Sequence, residues 1–186
     1  MLNEQIKEAT KQGHQELEKT VVYKLKAIEN NADYADVLKH FYVFFSGIEQ
    51  QIDHLLPESL KPYYAVRRNA SHIAQDIEAL GGSLTELPSV VLPSLHNATQ
   101  AIGALYVLEG SIMGGPYIVK MLQQRGIETG FNFFNGYGEQ SHQNWAKFTG
   151  IINAEVTEEA AIEEAITAAQ QTFSSFGQTF NANILS

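Results

Sequence analysis

Apolar and polar positions along the chain repeat with the period of an α-helix almost throughout. From Asn3 to Lys19 the residues Ile6, Thr10, Gly13, Leu17 and Val21 fall on one stripe, and Asn3 is placed to cap it. A short helical stretch, Val22 to Ile28, follows and stops at Asn30-Asn31. Asp33 is a suitable N-cap for a long helix to about Leu56, whose apolar face includes Leu38, Phe41, Phe44, Phe45 and Ile48, and Pro57 ends it. The segment from Pro57 to Leu80 is helical by period, with Pro62 as a restart and Gly81-Gly82 as a stop, and Leu84 to Pro93 is an extended connector.

Beyond the connector lies the stretch Ala101 to Met121. Ile102, Leu105, Leu108 and Ile112 keep helical spacing there, yet Gly103, Gly110, Gly114 and Gly115 interrupt the run and Pro116 follows. Each interior glycine costs about 1 kcal/mol against alanine, so four in one apolar helix need a reason. Close helix packing is one, and close approach of the backbone to a flat or bulky ligand at a bend is another. Ser94 would cap this helix, and Gly126 would end its continuation from Pro116. Gly130 to Gly138, G-F-N-F-F-N-G-Y-G, is too aromatic for a flexible linker and reads as a packed irregular loop. Helices from about Gln140 to Ala154 and from Thr157 to Asn181 complete the chain. No alternating stretch demands a sheet, so the expected fold is a single all-α domain over residues 1–186 with about seven or eight helices.

Composition narrows the function. A net charge of -9 and a pI near 5.1 argue against a nucleic-acid backbone as partner, and any anionic ligand would need a local cluster of the 12 Lys and Arg residues. The absence of cysteine removes disulfides, thiolate metal ligands and thiol nucleophiles together. The acid-containing start M-L-N-E-Q-I-K-E is unlike a signal peptide, and no apolar run is expected to approach the roughly 20 residues of a membrane span, so a cytoplasmic protein without a membrane partner is expected.

Candidate chemistry concentrates at the amino terminus. Lys7, Lys11, His14 and Glu18, spaced i, i+4, i+7 and i+11, lie along one helical face. A neutral imidazole is a common metal ligand, and a carboxylate one turn later can accept its other N–H. The two lysines place positive charge about 5 to 10 Å from such a metal, where the carboxylates of a flat dianionic ligand would lie. The alternative is an ordinary solvated face with a surface His–Glu pair.

The segment A-T-K-Q-G-H-Q-E-L-E-K, followed about ninety residues later by G-A-L-Y-V-L-E-G-S-I-M-G-G, resembles the heme oxygenase family and its bacterial branch in particular. Chain length, helix order and both motifs share in the resemblance. It implies an enzyme that is oxygen- and reductant-dependent and cleaves heme, its substrate and cofactor, to biliverdin, carbon monoxide and ferrous iron. By that resemblance His14 is the proximal iron ligand, Glu18 accepts its second ring N–H, and Lys7 and Lys11 face the propionates. Gly110, Ser111, Gly114 and Gly115 would form the distal side, where little side-chain bulk leaves room for ordered water. Electrons would come from a ferredoxin or an NAD(P)H-dependent reductase, since the chain has no flavin or iron–sulfur pattern of its own.

Two departures from the family stand out. Animal members carry aspartate where this chain has Ser111, and a hydroxyl can hold a water but lacks a carboxylate's charge. Their later basic residues fall here on Thr149 and Asn153, leaving Lys147 as a loose substitute. Glu109 is one residue out of register and should point elsewhere. The remaining histidines, His40, His54, His72, His96 and His142, read as surface or helix-end residues, and Asp36/His40 and Asp76/His72 as i, i+4 pairs. A heme carrier or sensor without turnover, a helical relative acting on another small substrate, and a purely structural module stay open from the residues alone.

Overall fold

Thr10 interrupts the amino-terminal helix that the apolar stripe predicts as continuous. In the computed structural model, which describes residues 1–181, α1 (Leu2–Ala9) and α2 (Lys11–Lys26) meet at this residue. The Thr10 hydroxyl turns back to donate to the Ile6 carbonyl at 2.7 Å, a local bond that competes with the helical ladder and bends it. Hydrogen bonding still passes the break, because the His14 amide reaches the Thr10 carbonyl at 2.9 Å. α2 then absorbs the separate short helix expected from Val22.

Caps shift by a few residues for visible reasons. Asn30, in extended conformation, accepts the Asp33 amide at 3.0 Å and starts α3 (Asn31–Ile52), so Asn30 and not Asp33 is the cap. Asn97 likewise replaces Ser94 at the start of α6 (Ala98–Gly110), accepting the Gln100 amide at 2.9 Å. The helical segment expected over Pro57–Leu80 with a restart at Pro62 has a further break and forms two helices, α4 (Lys61–Val66) and α5 (Ala70–Ala79). Between them Arg67 adopts an extended ψ of 158°, and Asn69 caps the second helix. That break turns both Arg67 and Arg68 into the interior.

A 3-10 turn, Ser111–Gly114, joins α6 to α7 (Gly115–Gln124), where the glycine spacing predicts a bend. α8 (Ser141–Glu155) and α9 (Glu159–Asn181) follow the aromatic loop. With α1–α2 and α6–α7 each counted as one interrupted rod, the described residues form seven rods and no strand, within the expected all-α class. The last residues of the expected domain, 182–186, lie outside the described residues.

α6 is the centre of the packing. Ala101 to Glu109 are all buried, and α9 lies along them through Ala165, Ala168 and Ala169. A Cβ on Gly103 would come within 3.1 Å of both the Ala165 carbonyl carbon and the Ala168 Cβ, so this glycine serves helix–helix approach. Phenylalanines fill the adjoining core, with Phe44 stacked on Phe176 at 4.3 Å between centroids and Phe41 edge-on to Phe134 at 5.2 Å. Joined through the 3-10 turn, α6 and α7 make a span, Ala98–Gln124, longer than the apolar runs expected from the sequence. It is long and apolar enough for a membrane span by length and composition, but 56% of its most apolar window is buried inside the fold.

Candidate functional site

His14 projects from the first turn and a half of α2 into solvent-accessible space. Its ring meets the edge of Phe173 on α9 at 5.7 Å, and among the described residues it makes no hydrogen bond. Phe173 also lies 3.4 Å from where a Gly13 Cβ would be, so glycine at 13 lets the helix sit close under the imidazole. Lys7, Lys11 and Glu18 are all exposed. Neither lysine has an acidic partner within ion-pair distance among the described residues, and no hydrogen bond joins Glu18 to His14. The two lysines straddle the Thr10 break, on α1 and α2 respectively.

The helix that carries His14 packs on both α9 and α7. α2 and α7 are tied at their carboxyl ends, where Arg125 donates to the Lys26 carbonyl. Towards the other end of α7 stand the glycines, and the structure divides them by task. A Cβ at Gly114 would meet nothing within 4 Å, and one at Gly110 only the rim of Trp145 at 3.8 Å. At Gly115 it would lie 2.9 Å from the Phe134 carbonyl carbon and closer still to the oxygen, so Gly115 admits the aromatic loop. Two of the four glycines thus answer to packing, Gly103 and Gly115, and two border open space.

Ser111 begins the 3-10 turn between them. Its hydroxyl donates to the Leu108 carbonyl at 2.6 Å and accepts from Nη2 of Arg68. Arg68 is only 2% exposed, its guanidinium lies 3.9 Å over the Phe133 ring, and its Nη1 donates to the Phe133 carbonyl at 2.5 Å. Burial pushes its pKa down to about 10, against the pull of Glu109.

Behind Ser111 lies a polar cluster inside the helical core. Glu109, wholly buried, accepts from Arg67 Nε at 2.6 Å, Tyr63 Oη at 2.6 Å and Tyr137 Oη at 3.2 Å. Arg67 also donates to Glu49 at 2.6 Å, and Glu49 in turn receives the Ala70 amide at the start of α5. Burial works against the Arg67 charge, but Glu109 and Glu49 outweigh it and hold the guanidinium above its ordinary range. Burial, reinforced by Glu109, raises the Tyr63 phenol, and the same two causes raise that of Tyr137.

Sequence reasoning turns Glu109 away from the distal face and misses its partners. The signal for them was compositional: two of only three arginines stand side by side at 67 and 68, and Glu109 is the one charge in a buried apolar helix.

The other candidates serve the scaffold. Asn153 accepts the Asn3 amide at 3.0 Å and so holds α1 to α8, Thr149 is buried with its hydroxyl on the Ala146 carbonyl, and Lys147 is exposed. Asp76 is buried and takes the amides of Asn132 and Phe133 at 2.9 and 2.8 Å, which fixes the aromatic loop and leaves no pair with His72 for a metal. His72 faces its own N-cap Asn69, and His40 stacks on Phe180 at 5.5 Å. Tyr106 is buried against Trp145, whereas Tyr117 is 60% exposed beside the glycine turn. No group of three or more His, Asp and Glu side chains fit for a metal occurs among the described residues.

Known proteins resemble the chain in sequence and in fold. The family model described as heme oxygenase matches residues 1–182. A heme oxygenase of Xanthomonas campestris pv. campestris (strain 8004) is 28% identical over 145 residues, covering 77% of this chain and 86% of that protein. The Neisseria meningitidis heme oxygenase, solved with NO and CO bound, superposes with a TM-score of 0.76 at 22% identity, over 100% of this chain and 95% of its own. Heme oxygenase-1 of the cyanobacterium Synechocystis sp. PCC6803, solved with heme, gives 0.72 at 19% identity over 97% and 90%.

Proposed function

The chain belongs to the heme oxygenase family and acts as a heme oxygenase, and from that premise we propose that its heme lies between His14 and the Gly110–Gly114 turn. The donor set fits the group. An imidazole with both ring nitrogens uncommitted can supply one to iron and keep the other for orientation, and no thiolate competes. Lys7 and Lys11, free of acidic partners, supply the positive charge that a dianionic porphyrin edge requires. Gly110 and Gly114 present backbone without side-chain bulk, and Gly115 supports that turn by seating the Phe134 loop.

The observations that carry the reading are two: an unbonded, accessible His14 on a helix that packs against α7, and a Gly114 position at the start of α7 that opens onto empty space. Bound heme supplies the redox chemistry, in which dioxygen and reducing equivalents open the porphyrin to biliverdin, carbon monoxide and ferrous iron. The protein's part is to bind, orient and screen. His14 would hold the iron through one ring nitrogen, and Glu18, one turn on, could swing to accept its second N–H. The lysines choose the in-plane rotation, and the half-buried Ser111 holds solvent beside the glycines. Electrons come from a separate ferredoxin or NAD(P)H-dependent reductase, and the protein works in the cytoplasm as one domain.

Titration with heme tests the site. A stoichiometric Soret band is expected for the native chain and its loss or displacement for His14→Ala; an unchanged band in that variant removes His14 as the ligand. Lys7→Ala with Lys11→Ala should weaken heme binding or change the biliverdin isomer. Unaltered affinity together with an unaltered isomer would refute the propionate role.

A further inference from the structure

Ser111 sits where its polarity can be worked out atom by atom. A serine hydroxyl has one hydrogen and two lone pairs. The hydrogen is spent on the Leu108 carbonyl at 2.6 Å, and one lone pair is taken by Nη2 of Arg68. One lone pair remains. The helical form of this segment decides where it can be offered, because in a 3-10 turn side chains at i and i+3 eclipse, which puts Ser111 on the same edge as Gly114. That edge is the one where a Cβ would meet nothing within 4 Å, and Ser111 itself is half-buried there, not sealed in.

We infer that Ser111 presents only a hydrogen-bond acceptor to the distal side of bound heme, and that Arg68 is the positioning residue that keeps it so. This rests on the heme reading of the preceding section. Arg68 is suited to the task because it cannot follow a moving partner. Its guanidinium is held over the Phe133 ring at 3.9 Å, its Nη1 is bonded to the Phe133 carbonyl, and its own amide donates to the Tyr137 hydroxyl at 3.1 Å. Phe133 is in turn anchored through its amide to Asp76 at 2.8 Å. With Arg68 in place, a hydroxyl rotation that aimed the Ser111 proton at the heme would set the lost Leu108 bond against no gain from Arg68, which has no acceptor to offer.

The consequence is chemical. Ser111 can receive a proton-bearing group such as water and orient that water's second O–H outward, but it cannot itself donate to a ligand on the iron. It performs the acceptor function of a carboxylate without adding negative charge beside the porphyrin.

The acid–alkaline transition of the ferric heme complex reads this directly. An acceptor favours water on the iron over hydroxide, because water is the better donor; a donor favours hydroxide. Ser111→Ala should therefore lower the transition midpoint by about half a pH unit or more. A rise would show that Ser111 donates, and an unmoved midpoint would show that it does not face the heme; either overturns the inference. Other titratable or charged groups on the elements packed against the turn, Arg68 between α4 and α5, Tyr106 and Glu109 on α6, Tyr117 and Lys120 on α7, Tyr137 in the aromatic loop and His142, Lys147 and Glu155 on α8, are common to both proteins and cancel in the difference. The positioning role is read from the same measurement made in Arg68→Gln, where the freed hydroxyl can rotate and the Ser111→Ala shift should fall to less than half or change sign. An undiminished shift refutes Arg68 as the positioner. Should Arg68→Gln fail to fold, Arg68→Met, which removes the donor while filling much of the same space, takes its place with the same expectation. A normal Soret titration with no Ser111 effect sinks only this inference, whereas absence of heme binding by the native chain sinks the site reading with it.

Discussion

Gly114 and Gly115 are adjacent in sequence, share right-handed helical backbone, and should respond to the same substitution with opposite signs. Gly114 has φ −84 and ψ −13, and Gly115 has φ −54 and ψ −50, so alanine is conformationally acceptable at both. At Gly114 the new methyl meets nothing within 4 Å, and the substitution gains only the reduced freedom of the unfolded chain and better helix propensity, about 0.5–1 kcal/mol. At Gly115 the same methyl falls 2.9 Å from the Phe134 carbonyl carbon and 3.4 Å from its Cα, with the carbonyl oxygen nearer than either. The obstacle is backbone, and the loop that would have to give way is pinned by Asp76 and by the buried Phe133 and Phe134. Overpacking costs about 1–3 kcal/mol and occasionally more, and a methyl driven into pinned backbone belongs at the top of that range, about 3–4 kcal/mol, so Gly115→Ala should be destabilised by about 2–3 kcal/mol after the propensity gain.

For a chain of this size about 1 kcal/mol moves Tm by 2–4 °C, so heat unfolding of the heme-free proteins should show Gly114→Ala up by about 1–4 °C and Gly115→Ala down by about 4–12 °C. Heme then separates the two again. The more stable Gly114→Ala protein should bind heme more weakly or turn it over more slowly, because its methyl occupies the proposed distal space. Equal destabilisation by both substitutions, or a stabilised Gly114→Ala that binds and cleaves heme as the native chain does, would refute the division of the glycines drawn here.

Glu109→Leu leaves Arg67 buried with only Glu49, and one-sided removal of a buried ion pair costs about 3–5 kcal/mol by urea unfolding, most of which Arg67→Met in the same chain should restore; additive losses would contradict the pairing. Asp76→Ala strands the Asn132 and Phe133 amides and should cost about 2–4 kcal/mol while loosening the loop against Arg68, seen as faster amide exchange at Phe133; unchanged protection there would count against the anchor. Stability should also fall as pH rises through about 10. Burial holds the phenols of Tyr34, Tyr63 and Tyr137 above their ordinary range, so the unfolded chain ionises first, and their contribution, complete below that pH, drains away above it. Arg68, lowered to about 10, works in the opposite sense over the same range, but it is one group against three. A urea midpoint that holds level or climbs there would show that these phenols are not buried as described.

Helical period, the absence of alternating stretches and the glycine-rich bend were properties of local sequence, and the fold class, the approximate number of helices and the bend at residues 111–114 follow from them. His14 with its lysines was picked out on the same local ground, residues at i, i+4 and i+7 of one helix, although the Thr10 break leaves Lys7 on α1 and Lys11 and His14 on α2. Caps were placed less well. Asn30 and Asn97 prevailed over Asp33 and Ser94 because the backbone could become extended at the former pair, and Thr10 broke a continuous stripe through a side-chain bond that period does not encode.

What separates Gly103 and Gly115 from Gly110 and Gly114 is which neighbour arrives from a distant part of the chain: Ala165 or Phe134 in one case, open space or the rim of Trp145 in the other. The same holds for Ser111. Its residue type suggested a weak replacement for a carboxylate, and only the arrival of Arg68 from the break between α4 and α5 settled what its hydroxyl has left to offer. Burial and hydrogen-bond accounts close over contacts far apart in sequence, so local pattern supplies the groups while the packed chain decides which of their bonds remain free.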